Sequence, residues 1–112
     1  MPITVETVAS LQQYIQGVMG RAEHHANNVD EICLAIAGAI VWRTDGDLKV
    51  RTHDGEMANV LWMQVGGSKY ALSYNHDERA VEVRKDSIRG DVLASFTNES
   101  SIGDVKSFFG GL

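Results

Sequence analysis

The sequence predicts an α+β fold, in which an antiparallel meander of about five strands (47–97) packs against two N-terminal helices and one C-terminal helix. Two observations support this fold. Apolar residues recur at helical spacing near both ends of the chain, whereas within 47–97 they alternate with a period of two. Turn signals at Asp54-Gly55 and Gly66-Gly67 separate the alternating runs as they do in β-hairpins. We expect the 112 residues to form a single α+β domain.

The first helix is predicted from Thr4 or Val5 into the low twenties, because its apolar residues share one face: Val8, Leu11, Ile15, Val18, Met19, Ala22 and Ala26. A second helix, with Asn28 as its N-cap and Glu31 three residues later, follows as the run ICLAIAGAIVW. Since this run is apolar on every side, we place it at the centre, between the sheet and another helix. Its end, Ile40 to Arg43, is either helical or extended.

Five strands and a closing helix complete the predicted order. The strands are Leu48–Arg51, Ala58–Val65, Tyr70–Tyr74, Val81–Arg84 and Val92–Phe96. The closing helix is capped by Ser101, with Asp104 three residues later, and ends at Gly110-Gly111. Its apolar stripe consists of Ile102, Val105, Phe108 and Phe109.

Turn lengths predict the register of the strands. A two-residue loop at Asp54-Gly55 pairs His53 with Glu56, and the same frame sets Arg51 opposite Ala58, Lys49 opposite Val60 and Leu48 opposite Leu61. A Gly66-Gly67 turn and a four-residue loop at 76–79 set the other pairs: Val65 and Ser68, Met63 and Tyr70, Leu61 and Leu72, Trp62 and Ala71, Tyr74 and Val81, Leu72 and Val83, Ala71 and Arg84. The three turns agree on one apolar core face: Leu48, Val50, Leu61, Met63, Val65, Tyr70, Leu72, Tyr74, Val81 and Val83.

The opposite face of the sheet is the candidate ligand or partner face. Its residues are Lys49, Arg51, Trp62, Ala71, Ser73, Glu82 and Arg84. With Lys69, the face holds four cations and one anion around a tryptophan, on a chain of formal net charge −5. Because Ala71 and Ser73 are small, we expect a shallow dish that binds an anionic or planar ligand, a protein partner or a second copy. The alternative is an ordinary solvated face, with Trp62 covered by a loop, a chain end or a second copy.

No catalytic residue, metal ligand or cofactor is predicted. His24 and His25 are adjacent, so on a helix they point 100° apart and do not chelate one ion, and Cys33 in the most apolar helix indicates a buried, inert thiol. Phosphate-binding glycine loops and a serine nucleophile motif are absent from the sequence. A small enzyme with its site near the His53 and His76 loops is the alternative function.

Composition and segment patterns indicate a cytoplasmic protein. The acidic balance argues against nucleic acid as a general partner. The N-terminus lacks the pattern of a signal peptide, and the longest apolar stretch, Ile32 to Trp42, is too short to span a bilayer. We therefore expect no membrane partner.

Turn glycines and core aromatics form a distinctive pattern in the C-terminal two thirds of the chain: 60–62, Gly66-Gly67, 69–76, 81–84, Ser87, Gly90, Leu93, 95–98, Asp104-Val105 and Phe108-Phe109. This pattern resembles small proteins encoded in mobile integron gene cassettes. The resemblance implies a compact bacterial α+β domain of unassigned function, often dimeric, and supplies no catalytic residue. We therefore expect a non-enzymatic binding or interaction module, with a homodimer as one of its forms.

Overall fold

Six antiparallel strands and two helices make up the part of the chain that the computed structural model describes, residues 2–4, 12, 29, 31–53, 56–75 and 77–112. The strands pair in chain order as one sheet. Their bounds are β1 Pro2–Thr4, β2 Lys49–His53, β3 Glu56–Val65, β4 Ser68–Asn75, β5 Ala80–Lys85 and β6 Val92–Phe96. The helices are α1 Ile32–Arg43 and α2 Ile102–Gly110. The predicted α+β meander is confirmed, and β1 extends it at one edge.

The N-terminal prediction is tested only in part. Of the two predicted N-terminal helices, the structure describes α1, whereas the first predicted helix lies outside the described residues except for Gln12, which is helical. Thr4, one of its two proposed starting points, belongs instead to β1, where it pairs with Lys49. The β-branched pair Ile3-Thr4 suits a strand, and an edge position tolerates the missing N–H of Pro2.

Helix α1 is helical through Arg43, so the end of the run is not extended. Its N-cap is Glu31 rather than Asn28, and the Glu31 side chain makes no capping hydrogen bond. The backbone N–H groups of Glu31 and Ile32 instead donate to Oδ1 of Asn98, both at 3.0 Å. The cap therefore comes from a residue far along the chain, which explains why a local capping pattern misplaced it.

One apolar cluster lies between the sheet and the two helices. All ten residues of the predicted core face belong to it or pack against it, and α1 contributes Ile32, Cys33, Ile36, Ala39 and Ile40. From α2 come Val105 and Phe109, and the Ser101–Asp104 capping box is present as predicted. Ile102 does not join its predicted stripe: it is 75% exposed, because it occupies the first helical position, at the rim of the cluster.

The central register is confirmed. Every predicted pair between β3 and β4 and between β4 and β5 is observed. The first hairpin agrees at its tip, where His53 pairs with Glu56, but a shift between Val50 and Thr52 changes the frame beyond it. Lys49 is therefore opposite Trp62, and Val50 is opposite Leu61. The predicted pairs Lys49 with Val60 and Leu48 with Leu61 are wrong, because β3 has two more residues than β2 at the shift, which moves the partners without changing the face they occupy. Arg51 and Ala58 lie at the shift itself and are not among the observed pairs.

Candidate functional site

A row of residues crosses four strands on the sheet face away from α1 and α2. Lys49 of β2 is opposite Trp62 of β3, Trp62 is opposite Ala71 of β4, and Ala71 is opposite Arg84 of β5. Directly opposite residues in antiparallel strands have Cβ atoms about 5 Å apart. The bulge, whose extra residues lie in β3, therefore brings a lysine beside the tryptophan, a neighbour that the predicted register did not provide.

An ion pair joins this row to a second row beside it. Ser73 of β4 is opposite Glu82 of β5. The Glu82 carboxylate accepts a hydrogen bond from Nη2 of Arg84 at 2.8 Å and another from Nδ2 of Asn75 at 3.2 Å. Nη1 of Arg84 donates to the carbonyl oxygen of Gly90 at 3.0 Å. Arg84 is thus neutralised and held in place, and among the described residues the charge offered to a ligand comes from other cations of the face.

Burial divides the face into a closed centre and an open side. Ala71 is 0% exposed and Glu82 is 7% exposed, so neither residue forms the floor of an open depression as the sequence predicted. Ser73 is half-buried. Lys49 is exposed, whereas Arg51 and Trp62 are half-buried. The seven predicted face residues do share one sheet region, but the accessible part is the side that carries Lys49, Arg51 and Trp62.

A family model described as integron cassette protein VCH_CASS1 chain matches residues 11–106, most of the sequence. The chain belongs to this integron cassette protein family. The resemblance found in the C-terminal two thirds is thereby confirmed. A search of curated proteins finds no match.

The residues of the alternative enzyme site in this cassette protein lie largely outside the described structure. His24, His25 and His76 are not described, and of His53 only the backbone at the end of β2 is. Within the described residues, no group of three or more His, Cys, Asp or Glu side chains is placed to hold a metal ion. Cys33 is buried in the core, as its apolar surroundings predicted.

A surface that the sequence interpretation missed lies on α1 of the cassette protein. Leu34, Val41 and Trp42 are 58%, 62% and 54% exposed, although the helix was placed at the centre. The helix does pack against the core and near α2, but only with one side. The sequence did contain a signal for this surface. Helix α1 is apolar on every side, and a helix that buries only one face needs apolar residues on that face alone. Among the described residues, no helix is long and apolar enough to cross a bilayer.

Proposed function

We propose that this integron cassette protein is a non-enzymatic binding module, which holds a negatively charged planar ligand or a negatively charged segment of a partner beside Trp62. One observation carries the proposal: exposed Lys49 lies directly opposite half-buried Trp62 on the same sheet face. A cation adjoining an accessible indole is the combination that binds a planar anion, because the ring stacks while the ammonium pairs with the charge.

The neighbouring residues define the shape and charge of the proposed site. Arg51 lies two positions from Lys49 on the same strand and is accessible in part, so it supplies a second positive charge. Ala71, opposite Trp62 on its other side, is small and fully buried, so the indole is accessible only in part. The Glu82–Arg84 pair braces the adjoining strand and adds no net charge. The site therefore offers two cations and one aromatic surface.

Tryptophan fluorescence tests this function. The chain has two tryptophans, so Trp42→Phe leaves Trp62 as the sole reporter. We expect adenosine monophosphate to change the Trp62 emission in a saturable way and uncharged adenosine to bind more weakly. Because the attraction is electrostatic at an accessible site, affinity falls as salt rises past about 0.1 M, where screening acts over about 10 Å.

A pair of charge reversals controls for net charge. Lys49→Glu and Lys106→Glu change the total charge equally, and Lys106 is exposed on α2, away from the sheet face. We expect Lys49→Glu to weaken binding about tenfold or more, equivalent to about 1.4 kcal/mol, and Lys106→Glu to leave it within about twofold. Equal effects of the two variants would contradict the proposal. So would a Trp62 emission that changes neither with adenosine monophosphate nor with a short single-stranded RNA.

A further inference from the structure

Cationic residues flank Trp62 on both sides along a diagonal of the sheet face. Lys49 is opposite Trp62, and Arg51 lies two residues beyond Lys49 on β2. On the other side, exposed Lys69 of β4 is opposite Gln64, which lies two residues beyond Trp62 on β3. Because residues two apart on a strand point to the same face, the three cations share the face of Trp62. They form a cationic line across three strands, with the indole between its ends.

The length of the cationic line follows from sheet geometry. Neighbouring strands are about 4.8 Å apart, and residues along a strand are about 3.4 Å apart. Lys69 is therefore about 8 Å from Trp62 at the level of the sheet, and Arg51 is about 8 Å from it in the opposite direction. A mononucleotide has phosphate at one position only, so it pairs with cations on one side of the indole. A ligand that uses the whole line carries negative charge on both sides of its planar group.

The acidic composition of the chain does not extend to this line. Among the described side chains of the strands on this face, the one carboxylate is that of Glu82, which is 7% exposed. It forms its ion pair with Arg84, at 2.8 Å. Glu82 therefore does not offset the positive charge of the cationic line, although the formal net charge of the chain is −5.

A cationic line with an aromatic ring between its ends matches the chemistry of a single nucleic acid strand. Such a strand alternates planar bases with phosphates, so a base stacked on Trp62 has a phosphate before it and another after it. An acidic peptide carries its charges on flexible side chains and stacks on an indole only where it has an aromatic residue. Resting on the proposed function, we propose that the ligand of the Trp62 face is a single-stranded nucleic acid. Lys69 pairs with the phosphate on one side of the stacked base, and Lys49 and Arg51 pair with those on the other.

The number of phosphate contacts predicts how binding depends on salt. For single strands, the slope of the logarithm of the binding constant against the logarithm of the salt concentration is about −0.7 for each neutralised phosphate. Three contacts give a slope of about −2. Binding of this kind covers a few nucleotides, so it needs neither a basic chain nor an extended basic surface.

A tetranucleotide of adenylate, added to the Trp42→Phe protein, tests the ligand class by Trp62 fluorescence. Without terminal phosphates it has three phosphate groups, one for each cation of the line. We expect it to bind at least tenfold more tightly than adenosine monophosphate at about 50 mM salt, with a salt slope of about −2. A blocked peptide with one phenylalanine among three glutamates carries the same number of negative charges. We expect it to bind at least tenfold more weakly than the tetranucleotide.

Lys69→Gln tests the end of the line that adenosine monophosphate does not need. We expect this variant to bind the tetranucleotide about five- to tenfold more weakly at about 50 mM salt, with a slope smaller by about 0.7. Binding of adenosine monophosphate should stay within about twofold, because its phosphate pairs with Lys49, directly opposite the indole. Lys85→Gln is the matched control: Lys85 is exposed and opposite Tyr70, on the other face of the sheet. Circular dichroism checks that both variants are folded.

Three results would overturn this inference while adenosine monophosphate still binds and the proposed function stands. They are a tetranucleotide that binds no more tightly than adenosine monophosphate, a peptide that binds as tightly as the tetranucleotide, and equal effects of Lys69→Gln and Lys85→Gln. If neither adenosine monophosphate nor the tetranucleotide binds, the proposed function fails and this inference fails with it. The two failures are therefore distinguishable.

Discussion

Removing the side chain of Asn98 is predicted to destabilise the protein by releasing the N-terminus of α1. The Oδ1 atom of Asn98 accepts two backbone N–H groups, those of Glu31 and Ile32, each at 3.0 Å. In Asn98→Ala both donors lose this partner. The change acts on a helix more than 60 residues away in the sequence, so its effect on α1 would demonstrate the tertiary contact directly.

The two hydrogen bonds differ in environment, and this difference sets the magnitude. The Glu31 bond is exposed, so water replaces it at small cost, whereas the Ile32 bond is partly buried. A net value of about 0.5–1.5 kcal/mol per bond, with the buried one toward the upper end, gives a loss of about 1.5 kcal/mol. Loss of an N-cap in other helices costs a similar amount, about 0.5–2 kcal/mol.

Urea denaturation followed by circular dichroism measures the loss. The midpoint should fall while the slope stays constant, since the same surface is exposed on unfolding. Asn98→Asp retains an accepting oxygen and adds negative charge at a helix N-terminus, so it should be nearer the wild type than Asn98→Ala. Glu99→Ala, at an exposed neighbouring position, is the matched control. A loss below about 0.3 kcal/mol in Asn98→Ala, or an equal loss in Glu99→Ala, would refute the reasoning.

Three further predictions concern stability and are measured by the same urea titration. Gly90→Ala should cost about 2–3 kcal/mol, because the new Cβ would meet the carbonyl oxygen of Lys85. Gly38→Ala, whose new Cβ meets no described atom within 4 Å, should gain about 0.5–1 kcal/mol, and equal effects of the two variants would contradict the geometry. Glu82→Ala should cost about 2 kcal/mol, since its partly buried arginine partner loses its counter-ion, and a neutral result would show that the ion pair does not stabilise the fold. Ser101→Ala should cost about 1 kcal/mol by opening the capping box of α2, and no change would argue against that cap.

The parts of the fold predicted correctly are those with local signals. The Gly66-Gly67 turn joins β3 to β4 with both glycines at positive φ, +60° and +83°, as a tight two-residue hairpin requires. A turn of known length sets the frame of both flanking strands, which is why the β3–β4 register was predicted in full. The capping box at Ser101 is local in the same sense.

The errors arise where distant residues decide the structure. The bulge near Arg51 has no glycine or proline to mark it, yet it moves Lys49 from Val60 to Trp62. Asn98 caps α1 from a position 66 residues further along the chain than Ile32, whereas helix-start patterns consider only neighbouring residues. Burial on the second sheet face, seen at Glu82, depends on packing across strands and not on the alternation within one strand.

The sequence predicted which sheet face the residues of the candidate site occupy, but it did not predict how deeply each of them is buried. Alternation placed the cations and Trp62 on one face, but it could not distinguish exposed Lys49 from buried Ala71, because both occupy the same side of the sheet. The ion pair that neutralises Arg84 joins residues two apart on one strand, which alternation puts on the same face without indicating a contact. Three-dimensional packing therefore reduced a seven-residue surface to its accessible side.

Chemical-shift mapping of the ¹⁵N-labelled protein tests the proposed binding face most directly. The two indole N–H signals are assigned with Trp42→Phe, and the protein is then titrated with adenosine monophosphate. We predict that the largest shifts occur at the Trp62 indole and at the backbone amides of Lys49 and Arg51, while the Trp42 indole remains in place. Shifts centred on the His53 and His76 loops, or no saturable shift at the Trp62 indole, would contradict the account.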